Sequence, residues 1–322
     1  MTNSFKILCS ALLILALTFI AINLNIGFLK LNLSDFTGQT ENSQIAQMRI
    51  NRVVVMLLAG ISIPTSGFLL QEYFQNPLAG PSVLGISSVA SLSVAFYIFF
   101  SHNFTIPEIL QNGFISISAI AGSLGLMLVL LAFSNKFQDK SFLIIFGFLV
   151  SALSGAIVSA LQLYADDQSL KNYILWSFGA NNHVTVNQIF VLALIVISGF
   201  AVSFKTIKPL IGNALGSSYA QSLGVNLSQL KYLIIIASSL LSASVTAFLG
   251  PILFIGIVVP HFCRMIWNPA KLWQQWILNM ILGILIMELF SIISELTQFP
   301  LNVITSLFGI PVILMMMLKS QK

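Results

Sequence analysis

Charge is what this sequence has least of. Only 7% of its 322 residues are Asp, Glu, Lys or Arg, whereas an ordinary soluble domain carries about 25%. So few charged side chains cannot clothe a water-facing surface, and 57% of the chain is hydrophobic, so lipid must be the outer solvent. The net charge of +5 comes with no basic run and no interleaved aromatic stripe. That argues against nucleic acid and leaves membrane orientation as the meaning of the excess.

Other absences exclude whole chemistries. The two cysteines, Cys9 and Cys263, lie in separate hydrophobic segments without metal-ligand spacing and read as membrane-buried thiols. No Gly-Lys pair occurs, so there is no phosphate-binding loop, and any ATP hydrolysis must belong to a partner. The three histidines, His102, His183 and His261, sit in separate loops or at a helix end, without the facing pairs that haem ligation needs. No cofactor and no metal site are therefore expected, and the chain itself is not expected to be an enzyme. Of nine acidic residues only Glu288 falls well inside an apolar run, with Glu295 near its outer end. Ion-coupled carriers usually hold several ionisable groups in the membrane, so a secondary transporter is the alternative reading, and a scaffold without transport a third. Asp166 and Asp167 fall in a loop where solvated charge is ordinary.

Long apolar runs are what the chain has in abundance. A helix rising about 1.5 Å per residue needs about 17 to 25 apolar residues to cross the hydrocarbon layer. Eight clear runs occur, at 5–24, 53–70, 114–133, 142–164, 186–204, 230–249, 276–293 and 303–318. Two weaker runs, 83–100 and 252–266, are broken by Gly85 with a serine cluster and by Pro260, which predicts bent or partly re-entrant helices. Within the first run, Lys6 precedes an apolar stretch from Ile7 to about Leu24 that suits a span in length and is followed by no small-x-small site, so it is counted as a span. Ten spans put both termini on one side. Placing them in the cytoplasm puts ten of the fourteen basic residues inside and leaves Lys30, Arg49, Arg52 and Lys171 outside. Gly80-Pro81-Ser82-Val83-Leu84-Gly85-Ile86 is echoed by Gly250-Pro251 through Gly256-Ile257. The echo links the third span with the eighth, and an odd offset of five spans is the signature of an inverted repeat.

Four stretches carry a family resemblance. Gln71, Asn76, Pro77, Leu78, Ala79, Pro81, Leu84 and Gly85 match every fixed position of Gln-x4-Asn-Pro-Leu-Ala-x-Pro-x2-Leu-Gly. This stretch resembles the signature of iron-chelate and cobalamin permeases, the membrane subunits of ABC importers. Physically, Asn76-Pro77 ends one helix and Gly80-Pro81 starts another. The second stretch comprises Ala214, Leu215, Gly216, Ser217, Ser218, Tyr219, Ala220, Leu223, Gly224 and Val225, within a loop at about 205–229. It is similar to the family's cytoplasmic loop, which in the family contacts the ATPase. Leu215, Tyr219, Ala220 and Leu223 recur at near-helical spacing, and Gly212, Gly216 and Gly224 punctuate the ends of two short helices. The alternative, a helix lying on lipid headgroups, lacks the Lys or Arg to hold them.

The third stretch runs through Gly250, Pro251, Gly256, Pro260, His261 and Arg264, and the fourth, 299–311, includes Gly309 and Pro311 with Asn302 where the family has glycine. His261 is read as a polar helix-end residue rather than a metal ligand. Arg49 and Arg52 match a family arginine pair that docks an external binding protein, with interfacial snorkelling as the alternative. Relatives often carry Ala-Asp and then a further Arg where this chain reads Met287-Glu288-Leu289. A stripe of small residues, Gly147, Ser151, Gly155 and Ser159, fits either packing within the subunit or a lining between two copies. The resemblance implies one all-α membrane domain over 1–322, cobalamin-permease-like, with about ten transmembrane helices in an inverted repeat. It also implies two copies working as a homodimer in a bacterial cytoplasmic membrane, with ATPase subunits and a binding protein, moving an iron-siderophore or related metal chelate.

Overall fold

The structure is a computed structural model, and it describes residues 3–38, 40–100, 108–134, 140–179, 184–268 and 271–320. Among them the chain is helical throughout, with no strand. The helices are α1 (Asn3–Asn25), α2 (Ser43–Phe74), α3 (Ile86–Phe100), α4 (Glu108–Ser134), α5 (Lys140–Leu163), α6 (Asp167–Ser177), α7 (Val186–Ala214), α8 (Ser217–Ser222), α9 (Leu227–Leu249), α10 (Ile255–Ile266), α11 (Leu272–Thr297) and α12 (Leu301–Ser320), with a 3-10 turn at Leu33–Thr37.

Eight of these helices are long and apolar enough to cross a membrane, and α3 and α10 are shorter apolar helices. These ten correspond one to one with the runs read from the sequence, and the two short ones are the two interrupted runs. Helix α2 is the centre of the bundle: 78% of its apolar stretch is buried, against 17% for α1. It packs on α11, α9, α10 and α7, while α1, α4, α5, α7 and α12 turn much of their apolar surface outward. Such outward faces are at rest only against lipid or another apolar partner.

Small residues set how closely α2 meets its neighbours. A methyl group on Gly60 would lie 2.7 Å from the carbonyl oxygen of Gly283 in α11, and one on Gly67 would overlap the carbonyl of Gly256 in α10. Backbone-to-backbone approach of this kind is a principal means of helix association where lipid removes the hydrophobic drive. The echoing segments also meet: the side chain of Ile257 lies against Gly80, and the ring of Pro81 against Gly256.

Local signals explain the helix starts. The Asp166 carboxylate accepts from the Ser169 amide at 3.0 Å and opens α6. Thr185 and Gln188 form a capping box at the head of α7, and the Asn226 side chain accepts from the Gln229 amide to open α9. The Asp166-Asp167 pair, read from sequence as solvated loop charge, is thus the cap and first turn of a short helix, where acidic residues are favoured. Helix α2 begins ten residues before its apolar run, because the polar turn carrying Arg49 and Arg52 has partners at the end of α1. His102, His183, Lys136 and Lys322 lie outside the described residues.

Candidate functional site: a docking ridge, an outer cavity and the helices between

One end of the bundle carries α8. Instead of the two short helices expected there, α7 continues through Lys205, Lys208 and Pro209 to Ala214, and a single short helix follows. Gly216, at φ 107°, and Gly224, at φ 80°, take the positive φ that glycine tolerates best and mark its two ends. Leu215, Tyr219 and Leu223 are 63%, 52% and 59% exposed. Spaced four residues apart, they form one apolar ridge. Ala220, expected to belong to that ridge, is fully buried. A step of one residue turns a helix by about 100°, and this carries Ala220 inward against Gly212 at the end of α7.

Behind the ridge, polar side chains tie three helices together. Asn213 Nδ2 donates to the carbonyls of Glu72 (3.3 Å) and Tyr73 (3.2 Å), and Gln75 Nε2 donates to the carbonyl of Asn213 (2.9 Å). Arg264 of α10 pairs with Glu72 at 3.3 Å and donates to Gln71 Oε1, while Gln71 Nε2 donates to the Ile257 carbonyl at 3.3 Å. Asn76 Oδ1 accepts from the Leu78 amide at 2.9 Å, the side-chain turn that lets Pro77 end α2. Ala79, Pro81 and Gly85 that follow are buried. His261, half-buried, lies tilted against Phe262, their ring centroids 6.4 Å apart, and no group of three or more His, Cys, Asp or Glu side chains able to hold a metal exists among the described residues.

The opposite end carries a cavity of about 690 Å³ lined by Arg49, Arg52, Glu295, Gln298 and the rings of Phe28, Phe178 and Phe299. The two arginines are not free surface charges there. Arg49 is 5% and Arg52 3% exposed. Arg49 donates to the carbonyls of Leu24 (3.1 Å), Asn25 (3.1 Å) and Leu29 (2.5 Å), and Arg52 to those of Asn23 (2.6 Å) and Ile26 (3.1 Å). The carbonyls at the end of α1 have no partners within their own helix, and cations are favoured at that pole. The pair therefore caps α1. Arg52 also bridges Glu295 at 2.7 Å, so α11 supplies it an internal carboxylate. Asn23 Nδ2 donates to the buried Glu288 at 2.6 Å. Asn302, which replaces the family's glycine, donates its backbone amide to Phe178 O (3.2 Å) and its side-chain amide to Ser177 O (3.2 Å), closing the end of α6.

The bridge yields a testable difference. Arg52→Ala should destabilise the protein more than Glu295→Ala, because it also uncaps α1. A double-mutant cycle on thermal unfolding in detergent should give a coupling of about 1–3 kcal/mol. Equal losses for the two single variants would contradict this assignment.

Between the two ends, the small-residue stripe of α5 divides. Gly147 is buried, with Val83 and Leu84 so close that a side chain would overlap their backbone, and Ser151 Oγ lies beside Gly85. Gly155 and Ser159 are exposed, and nothing lies within 4 Å of the position a Gly155 side chain would take. Packing within the subunit thus accounts for the first half of the stripe only. Across α10, a side chain on Gly309 of α12 would strike Phe254, which holds a left-handed φ of 67° at the head of α10. The outward face of α12 carries Leu307, Phe308, Ile310 and Leu314.

Eight helices long and apolar enough to cross a membrane and two shorter apolar ones, packed about a buried α2 and ending in an exposed apolar knob, define a polytopic membrane protein among the described residues. Comparison with known proteins makes this specific. The chain belongs to the FecCD transport family, whose model matches residues 8–319. It is 29% identical to the Hemin transport system permease protein HmuU of Yersinia pestis, over 98% of this chain and 97% of that one. It is also 29% identical to the Vitamin B12 import system permease protein BtuC of Photorhabdus laumondii, over 88% and 84% of the two chains. The Molybdate import system permease protein MolB of Haemophilus influenzae is 28% identical over 83% of this chain and 78% of its own length. The same fold is seen in a metal-chelate type ABC transporter solved in an inward-facing conformation, with TM-score 0.84, 24% identity, and coverage of 98% of this chain and 99% of that one.

Proposed function

We propose that this chain is the membrane permease of an ABC importer that moves a metal chelate, with an iron-siderophore complex as cargo, working as a homodimer with ATPase subunits and an external binding protein. The observation that carries the coupling part is the exposed ridge of Leu215, Tyr219 and Leu223 beside a buried Ala220. A solvent-facing apolar ridge without basic neighbours on its own helix suits a protein groove better than lipid headgroups. We place Ala214 to Val225 against the ATPase.

Orientation follows from charge. Lys205, Lys208, Lys231, Arg264 and Lys271 belong to or flank the α8 end, which supports a cytoplasmic location for that end and for both termini. The outer cavity is then where a binding protein docks. Because Arg52 already holds Glu295, a partner carboxylate has to compete with that bridge, and we assign Arg49 and Arg52 to docking only in that displaced state. The second copy packs on the outward apolar faces of α5 and α12, with Gly155 and Ser159 along the path between copies. The passage carries little charge, consistent with specificity residing in the binding protein, because a tightly binding passage would slow release. Siderophore iron is the cargo proposed within the wider class, for which the named relatives include a hemin and a vitamin B12 permease.

The test is uptake by the assembled complex in proteoliposomes, comparing a radioiron-labelled hydroxamate siderophore, haemin and cyanocobalamin, each with its binding protein. ATP-dependent accumulation of the siderophore alone supports the cargo assignment. Accumulation of haemin or cyanocobalamin instead keeps the permease reading and overturns that cargo.

A further inference from the structure

The polar bonds behind α8 have a geometry that helix packing alone does not require. Asn213 is fully buried in the last turn of α7, and its amide donates to the carbonyls of Glu72 and Tyr73, in the last turn of α2. Gln75, the cap residue of α2, returns the bond by donating to the Asn213 carbonyl at 2.9 Å and reaching toward that of Ala214 at 3.5 Å. The last carbonyls of a helix lack partners in their own helix. Here each of two helices closes the end of the other.

We propose that this reciprocal capping by Asn213 and Gln75 is the transmission joint of the transporter, making α8 and the last turn of α2 move as one body. From that turn two further linkages lead outward. Gln71 and Glu72 hold Arg264, and Gln71 donates to the Ile257 carbonyl, so α10 follows α2; Phe254 at the head of α10 in turn bears on Gly309 of α12. Along the chain, the end of α2 is followed by Pro77 and Pro81 and then Val83 and Leu84, against which Gly147 of α5 is packed without a gap. A displacement of α8 therefore reaches both helices whose outer faces are assigned to the path. Asn213 is fully buried and its bonds to the end of α2 are buried or part-buried, so breaking them leaves helix-end carbonyls unsatisfied. Asn213 and Gln75 are positioning residues: neither belongs to the ridge or to the path.

The inference rests on the permease reading, and the experiment separates the two. The tagged chain carrying Gly155→Cys is purified with its ATPase and placed in lipid nanodiscs. Gly155 faces open space, and the native Cys9 and Cys263 are buried, so maleimide reports the introduced thiol. Labelling is timed with and without ATP plus vanadate, in the parent and in Asn213→Ala. Gln75→Gly is run beside it; glycine suits the φ of 51° there and removes the two bonds that Gln75 donates while leaving those of Asn213. The joint predicts that nucleotide changes the labelling rate by about threefold or more in the parent, by less than about 1.5-fold in Asn213→Ala and by an intermediate amount in Gln75→Gly, with ATP hydrolysis within about twofold throughout. A merely structural role would lower hydrolysis and labelling response together. An equal nucleotide response in parent and variants, large or nil, overturns the joint. Absence of an ATPase from the parent complex, scored before any labelling, overturns the permease reading itself.

Discussion

Placing a carboxylate on the α8 ridge, as Tyr219→Glu or Leu223→Glu, should strip the ATPase from the purified permease. Tyr219 and Leu223 are more than half exposed in the subunit, so neither change disturbs the core, and the permease should elute as a folded species of unchanged size. The loss should be large. A central aromatic or aliphatic anchor contributes about 2 kcal/mol or more to a protein interface, and a charge buried without a partner adds to that, so retention of ATPase should fall by about thirtyfold or more. Ala220→Glu supplies the contrast. Because Ala220 is buried against Gly212, a carboxylate there should lower the yield of folded permease itself. Quantified co-purification with size-exclusion profiles checks both. Full ATPase retention by Leu223→Glu would place the docking surface elsewhere.

The largest stability effect should come from Gly67→Val. The added side chain meets the carbonyl of Gly256, which is backbone and cannot rotate away, so α2 and α10 must separate along the crossing that holds the broken helix in place. Overpacking that moves backbone costs about 1–3 kcal/mol, occasionally more, and here it falls at the crossing on which two helices depend. The variant should therefore fail to yield monodisperse protein in detergent. Gly155→Val, in open space on α5, should match the parent in yield and thermal midpoint, which separates a close crossing from a general intolerance of larger residues. A Gly67→Val protein that melts with the parent would contradict the crossing.

These cases show what sequence reasoning could reach. The ten spans were legible because lipid demands long apolar runs, and the two short helices because Gly85 and Pro260 interrupt theirs. The signal of helix α6 is present in Asp166-Asp167-Gln168-Ser169, a cap followed by acid in the first turn, but such acidic pairs occur equally in solvated loops. Near-helical spacing alone admits Ala220 to the ridge, and only the fold shows which side of α8 meets α7. The fate of Arg49 and Arg52 could not be read at all. Their partners are carbonyls at the end of α1 and a carboxylate more than 240 positions away in α11, and a carbonyl leaves no mark on sequence. The same holds for Asn213 and Gln75, two unremarkable amides whose meaning lies in facing helix ends.

The most direct test of the central claim is to reconstitute the chain with and without its co-purified ATPase and to follow chelate uptake under an imposed proton gradient, with ATP and vanadate varied independently. The permease account predicts uptake only when the ATPase is present, abolished by vanadate and indifferent to a proton ionophore. Uptake by the chain alone, driven by the gradient and collapsed by the ionophore, would contradict it and identify an ion-coupled carrier.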